Sequence, residues 1–265
     1  MKPDKESYSM TLGSVDSRNQ ERTILGVRFF VGGSEAAVVR GRRGGLVVVP
    51  SAPMLLELAR DPEYRAAATQ ADLVITDSGF MVVLWWLIKG EWLPRTSGLK
   101  YLRIMLQQEH RDCLTRTIWI MPSLSAARRL ITWLASQGVT ICLEHCYIAP
   151  HYPRGPVSDP DLLGFIHSRE PSQVVVALGG GTQEKLGLYL KNQLGLSVGI
   201  HCIGAAIGFL TGDQVSIPGW ADRFFLGWFL RCLSAPSRFI PRYWKSVSLG
   251  ALLWRYQESS PTAQQ

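Results

Sequence analysis

Long hydrophobic runs are missing from this sequence. The longest unbroken apolar stretch, Phe80–Ile88, is nine residues, against about 20 for a membrane-spanning helix. The segment from Met1 to Gln20 is polar and has no apolar core of the kind a secretory signal carries. Cysteine is scarce and unpatterned: five residues (Cys113, Cys142, Cys146, Cys202 and Cys232) at irregular spacings. An odd, irregular set argues against a disulfide framework and for a reducing compartment. A chain of 265 residues can bury about 70–75% of its unfolded surface, so it needs no covalent staples. Also absent is an early Gly-x-Gly-x-x-Gly turn followed by an acidic residue, which counts against a nicotinamide-dependent oxidoreductase. There is no internal repeat and no low-complexity tract.

What is present is positive charge. Lys and Arg number 28 against 21 Asp and Glu, a net charge of +7. A basic surface implies an anionic partner: nucleic acid, a phosphate-bearing substrate or an anionic lipid. Short runs rich in Val and Ile occur at Leu46–Val49, Leu73–Thr76, Thr117–Met121, Val139–Leu143, Gln173–Leu178 and Ser197–Cys202. Continuous apolar runs of this length suit strands buried on both faces of a parallel sheet. Helical patterns lie between them at Met54–Ala71, Leu99–Gln108, Ser123–Gln137, Asp159–Ser168 and Thr182–Leu194. This alternation predicts an α/β fold: a Rossmann-like, largely parallel sheet with helices on both faces. The expected organisation is a disordered tail over 1–20, an α/β core over 21–215, a helical appendage over 216–258 and a short disordered tail over 259–265. The basic run Arg40–Arg43 before Gly44 and Gly45 reads as a solvated turn.

In open α/β sheets ligands bind beyond the carboxyl ends of the strands, so the residues just after each apolar run are the candidates. Asp77, followed by Ser78 and Gly79, could be a general base if it reaches the proton to be removed, or a helix N-cap. Ser51 follows the first run. Gly179, Gly180 and Gly181 open a helix and could bring backbone N–H groups to phosphate or sugar oxygens. Gln183 and Glu184 could bond a ligand or cap that helix. Arg231, Arg238 and Arg242 stand seven and four apart, near one face of a helix, and arginine pairs with phosphate through two parallel hydrogen bonds. Trp220, Trp228, Trp244 and Trp254 interleave with these cations, a composition typical of membrane interfaces. Cys142, His145, Cys146 and His151 follow no zinc-ligand spacing, and no metal is expected.

These pieces, in this order, resemble the WecG/TagA/CpsF glycosyltransferases. The stretch VVVPSAPMLLELARDPEYRAAATQADLVITDSGF is similar to that family's strand, Thr-Pro-Asn-Ala turn, helix, second strand and Asp-Gly. ALGGGTQEK resembles its Gly-x-Pro-x-Gln-Glu, and the segment from Ile203 to Trp244 resembles its glycine-rich strand end and arginine-bearing C-terminal region. The resemblance runs from about Ile24 to about Tyr243 and rests on collinearity.

The resemblance implies an inverting, metal-independent transfer, with no cofactor, from a UDP-sugar to an undecaprenyl-diphosphate-linked saccharide in cell-surface polysaccharide synthesis. The donor would be of the N-acetylmannosamine type, its uronic acid, or glucose. It further implies Asp77 as base, Gln183 and Glu184 near the donor pocket, and Arg231, Arg238 and Arg242 closing over the donor diphosphate and touching the membrane. The implied place is the cytoplasm, peripheral to the inner face of the cell membrane. The implied partners are the UDP-sugar, the lipid-linked acceptor and the anionic membrane surface, with no nucleic acid; a homo-oligomer is left open. Several family positions differ: Val49 stands for Thr, Ser51 for Asn, Ser78 for Gly, Lys100 for Asp, Gly181 for Pro and Ser216 for Arg, while Gly227 and Ala235 replace glutamates. The substitutions at Val49 and Ser51 motivate a competing reading, a catalytically inert, membrane-associated paralogue acting in a polysaccharide assembly complex.

Overall fold

The computed structural model describes residues 20–108, 111–204, 206–212 and 248–261. The strands are β1 (Glu21–Ile24), β2 (Val27–Phe30), β3 (Gly45–Val48), β4 (Leu73–Ile75), β5 (Thr117–Met121), β6 (Cys146–Ile148), β7 (Gln173–Val176) and β8 (Gly199–Cys202). They form one eight-stranded sheet in the order β1-β2-β4-β3-β8-β7-β5-β6. Only the β1–β2 pair is antiparallel; every other neighbour runs parallel. The fold is therefore the mixed α/β, largely parallel architecture that the alternating pattern predicts.

The described helices are α1 (Ser34–Arg42), α2 (Ala52–Glu57), α3 (Pro62–Thr69), α4 (Gly79–Lys89), α5 (Gly98–Gln108), α6 (Arg111–Thr115), α7 (Leu124–Ser136), α8 (Pro160–His167), α9 (Thr182–Leu194), α10 (Ala206–Leu210) and α11 (Ser248–Tyr256). Two separate cores sort them into layers. Leu46 and Val48 point to one face, with Leu55, Tyr64, Met81, Leu162, Leu186 and Leu249. Val47 and Val49 point to the other, with Ala37, Tyr101, Leu114, Leu130 and Ile207. A strand buried on both faces has no polar side to show, which is why β3, β5 and β7 are buried at every residue.

Several expectations change. The single helix expected over Met54–Ala71 is two, because Pro62 biases Asp61 away from helical angles (φ −117°, ψ 101°) and Asp61 instead caps α3 through Tyr64 N–H. Val139–Leu143 is not a strand. Val139 and Ile141 are buried, but the chain turns through a 3₁₀ segment at Leu143–His145 and pairs with β5 only from Cys146 onward. Arg40–Arg42 form the last turn of α1 rather than a solvated turn; Arg40 bonds Glu21 at 2.7 Å and the Asp72 carbonyl at 3.0 Å. The hairpin β1–β2, helix α4 and strand β6 stand outside the elements that the apolar pattern predicts. Of the expected appendage, Ser248–Tyr256 is a helix packed against α2 and α4; residues 213–247 lie outside the described residues, as do 1–19 and 262–265.

Candidate active site

Parallel strands β4, β3, β8 and β7 lie side by side, so the loops leaving their carboxyl ends form one rim. Asp77 stands two residues beyond β4 and is half-buried. Its Oδ1 accepts the N–H of Gly98, the first residue of α5, at 2.9 Å. Its carbonyl accepts Arg95 Nε–H at 2.8 Å. Asp77 is thus a helix cap, though of α5 and not of the helix that follows it. That helix, α4, is capped by the buried hydroxyl of Ser78, which accepts Met81 N–H at 3.1 Å; Gly79 is its first residue. Ser97 completes the start of α5 by accepting Lys100 N–H at 3.2 Å.

Gly98 lets these loops converge. A Cβ built there would lie 2.9 Å from Val49 Cγ1, 3.7 Å from the Ile203 carbonyl and 3.9 Å from Asp77 Oδ1. The ends of β3, β8 and β4 therefore meet at one backbone point. Ser51, after β3, occupies the N-cap position of α2 with no side-chain bond to that helix. Met54 of α2 reaches across to the glycine loop after β7: a Cβ on Gly180 would sit 3.0 Å from its sulfur, and one on Gly181 3.3 Å from its methyl. Gly179 and Gly180 are exposed. Gly181, at φ +92°, takes backbone angles that only glycine adopts without strain.

Gln183 and Glu184 lie beneath this loop, both buried. Glu184 Oε2 accepts Gly181 N–H at 2.6 Å, and its Oε1 accepts Gln183 Nε2–H at 2.9 Å. Gln183 Oε1 in turn accepts Gly204 N–H, beyond β8, at 2.8 Å. Glu184 thus caps α9 at Gly181 N–H, while Gln183 bonds the loop beyond β8 and no N–H of its own helix's first turn. Burial pushes the Glu184 carboxyl up, opposed by the hydrogen bonds from Gln183 and Gly181.

The helices starting at this rim add a common field. Three of more than two turns, α4, α5 and α9, begin here, and each N-terminus carries partial positive charge. Such a rim favours an anion. Arg95 adds a half-buried guanidinium beside Asp77. The sequence reading missed both Arg95 and Gly98. The visible trace was only Pro94, which cannot extend a helix, and the Ser97–Gly98 start that follows it.

Arg231, Arg238 and Arg242 lie outside the described residues. His145 Nδ1 accepts the Cys142 backbone N–H at 3.2 Å, a local cap. Among the described residues no group of three or more His, Cys, Asp or Glu side chains is arranged to hold a metal ion. None of the described helices is long and apolar enough to cross a membrane.

Comparison with curated proteins gives no match. A family model, however, matches residues 23–262, nearly the whole described chain from β1 to the residues after α11. On that span the chain belongs to the WecG/TagA/CpsF family of glycosyl transferases.

Proposed function

We propose that this glycosyltransferase moves a sugar from UDP to a saccharide carried on a lipid diphosphate, by single displacement, in cell-surface polysaccharide synthesis. The observation that carries the reading is the position of Asp77: a half-buried carboxylate on a rim where helix N-termini converge. A sugar hydroxyl is a weak nucleophile. In the proposed step its proton passes to Asp77 as its oxygen bonds the anomeric carbon. The bond from that carbon to the phosphate oxygen breaks on the opposite face, and its electron pair leaves with UDP, so the anomeric configuration inverts. Backbone N–H groups at the rim and the arginines at 231, 238 and 242 would take up the charge gained by the diphosphate, each contributing a few kcal/mol. No divalent metal is assigned a role.

Exposed apolar side chains support action at a membrane surface. Trp86 and Leu87 of α4, Trp92, and Trp254 of α11 are all exposed, Leu87 by 65% and Trp254 by 70%. Trp86 and Trp92 pack edge to face at 6.1 Å between ring centroids. Helices α4 and α11 are in contact and run the same way, since Gly250 faces Leu84 while Glu258 pairs with Lys89. One turn beyond Gly250, Trp254 therefore lies beside the exposed end of α4. Large apolar side chains with basic neighbours suit the headgroup region of an anionic leaflet.

The test is transfer by the purified chain from a panel of UDP-sugars (N-acetylmannosamine, its uronic acid, glucose) to a synthetic lipid-diphosphate saccharide. The expected result is UDP release with one donor and a product of inverted configuration. Saturable UDP binding without turnover across the panel would overturn transfer in favour of an inert paralogue, a reading that Val49 favours, since it sets an apolar group at the rim.

A further inference from the structure

We infer that Gln183 and Glu184 are a positioning pair that locks the glycine loop after β7 to the loop after β8, and that neither side chain touches the donor. The inference rests on the proposed donor site for what the lock serves, and on hydrogen bonds alone for the lock itself.

Both side chains are buried and spent on each other and on backbone groups. Glu184 holds Gly181 N–H and Gln183 Nε2–H, one on each oxygen. Gln183 holds Gly204 N–H with its oxygen and leans its amide nitrogen toward the Cys202 carbonyl at 3.5 Å. The result is a continuous path, Gly181 N–H to Glu184 to Gln183 to Gly204 N–H, that joins the ends of two adjacent strands. Every bond in it has a fixed direction. A carboxylate at 184 accepts on both sides, which forces the Gln183 amide to donate with nitrogen and accept with oxygen. That orientation is the one Gly204 requires.

The glycine loop needs such a brace. Gly179 and Gly180 are exposed, and Gly181 sits at φ +92°, so side-chain packing contributes little to holding their N–H groups in place. A buried carboxylate is costly unless it is hydrogen-bonded, and burial does raise this one. A chain that keeps it here obtains a directional support that an apolar residue could not supply.

The direction of the bonds gives a sharp test. Glu184→Gln changes one atom but turns an acceptor into a donor. However the two amides are then turned, one donor must face another: at Gly181 N–H, between the two side chains, or at Gly204 N–H. Combining Glu184→Gln with Gln183→Glu reverses the pair: the carboxylate at 183 accepts Gly204 N–H and the amide at 184, whose oxygen accepts Gly181 N–H. Net charge is unchanged, and only the long contact to the Cys202 carbonyl is lost.

The expected result for Glu184→Gln is faster amide exchange at both Gly181 and Gly204, with UDP affinity about tenfold weaker, which corresponds to about 1.4 kcal/mol. The double variant should restore both. Exchange that rises at Gly181 alone, or an unrestored double variant that melts like the wild type, overturns the lock. So does wild-type UDP affinity in Glu184→Gln despite faster exchange, because the donor loop would then not depend on it. A wild-type chain that binds no UDP overturns the donor reading and leaves amide exchange to decide the lock.

Discussion

Replacing Asp77 by Asn separates its two roles, because the magnitudes are far apart. In the structure Oδ1 accepts Gly98 N–H at 2.9 Å. Asn keeps an oxygen for that bond and ranks with Asp as a cap. What it loses near the start of α5 is the negative charge, worth about 0.3–1 kcal/mol. Stability should therefore fall by about 1 kcal/mol or less, roughly 2–4 °C in Tm for a chain of this size. The catalytic role predicts a larger effect. Asn cannot accept the hydroxyl proton, and loss of a positioned base costs about 10²–10⁴ in rate, or about 3–5 kcal/mol of barrier. Asp77→Ala should share the kinetic defect while losing the cap as well, about 0.5–2 kcal/mol. Single-turnover transfer followed by UDP release, beside thermal melts of all three proteins, reads both quantities. An Asp77→Asn protein that transfers at nearly the wild-type rate would leave Asp77 as a cap and nothing more.

Three other outcomes follow from particular contacts. His201 is buried; its Nε2–H donates to Gln173 Oε1 and its Nδ1 accepts the Tyr101 hydroxyl at 2.9 Å, and burial lowers its pKa to about 3. Stability from the neutral ring is fully present above the unfolded value of about 6.5 and is lost as pH falls toward 3, by up to about 1.4 kcal/mol per pH unit. His201→Gln should flatten the urea-midpoint profile across that window, and an unchanged slope would count against the assignment. The Tyr64 hydroxyl is fully buried and has no hydrogen-bond partner among the described residues, so Tyr64→Phe should leave stability unchanged or raise it by about 1 kcal/mol; a lowered urea midpoint would reveal a bond to that hydroxyl. Replacing Leu87 and Trp254 together by Ser should weaken binding to anionic vesicles by tenfold or more, since each large apolar side chain contributes about 1.5–3 kcal/mol when fully buried. Wild-type binding in vesicle co-sedimentation would place the membrane contact elsewhere.

Local chemistry made some of this protein legible. The bounds of β5 and α9 follow from the sequence as read, because a β-branched run between turns and a helix opened by glycine are decided within a few residues. The α/β class follows from their alternation. Phe80–Ile88 shows where that ends. An apolar run of this length fits a buried strand or a helix equally well, and only packing makes it α4, with Met81, Val82 and Trp85 inward and Leu87 left outside.

The candidate site divides the same way. Sequence placed Asp77, Ser51 and the glycine loop after strands, since ligand loops follow strand ends in this class. It could not say which strand ends are neighbours. The order β4-β3-β8-β7 is set by crossovers that pack helices on opposite faces, a long-range choice with no local signature. That order brings Val49, Asp77, Gly98 and Ile203 to one point and puts Gly204 within reach of Gln183. Residue types fixed what each position could do, and the sheet decided which of them act together.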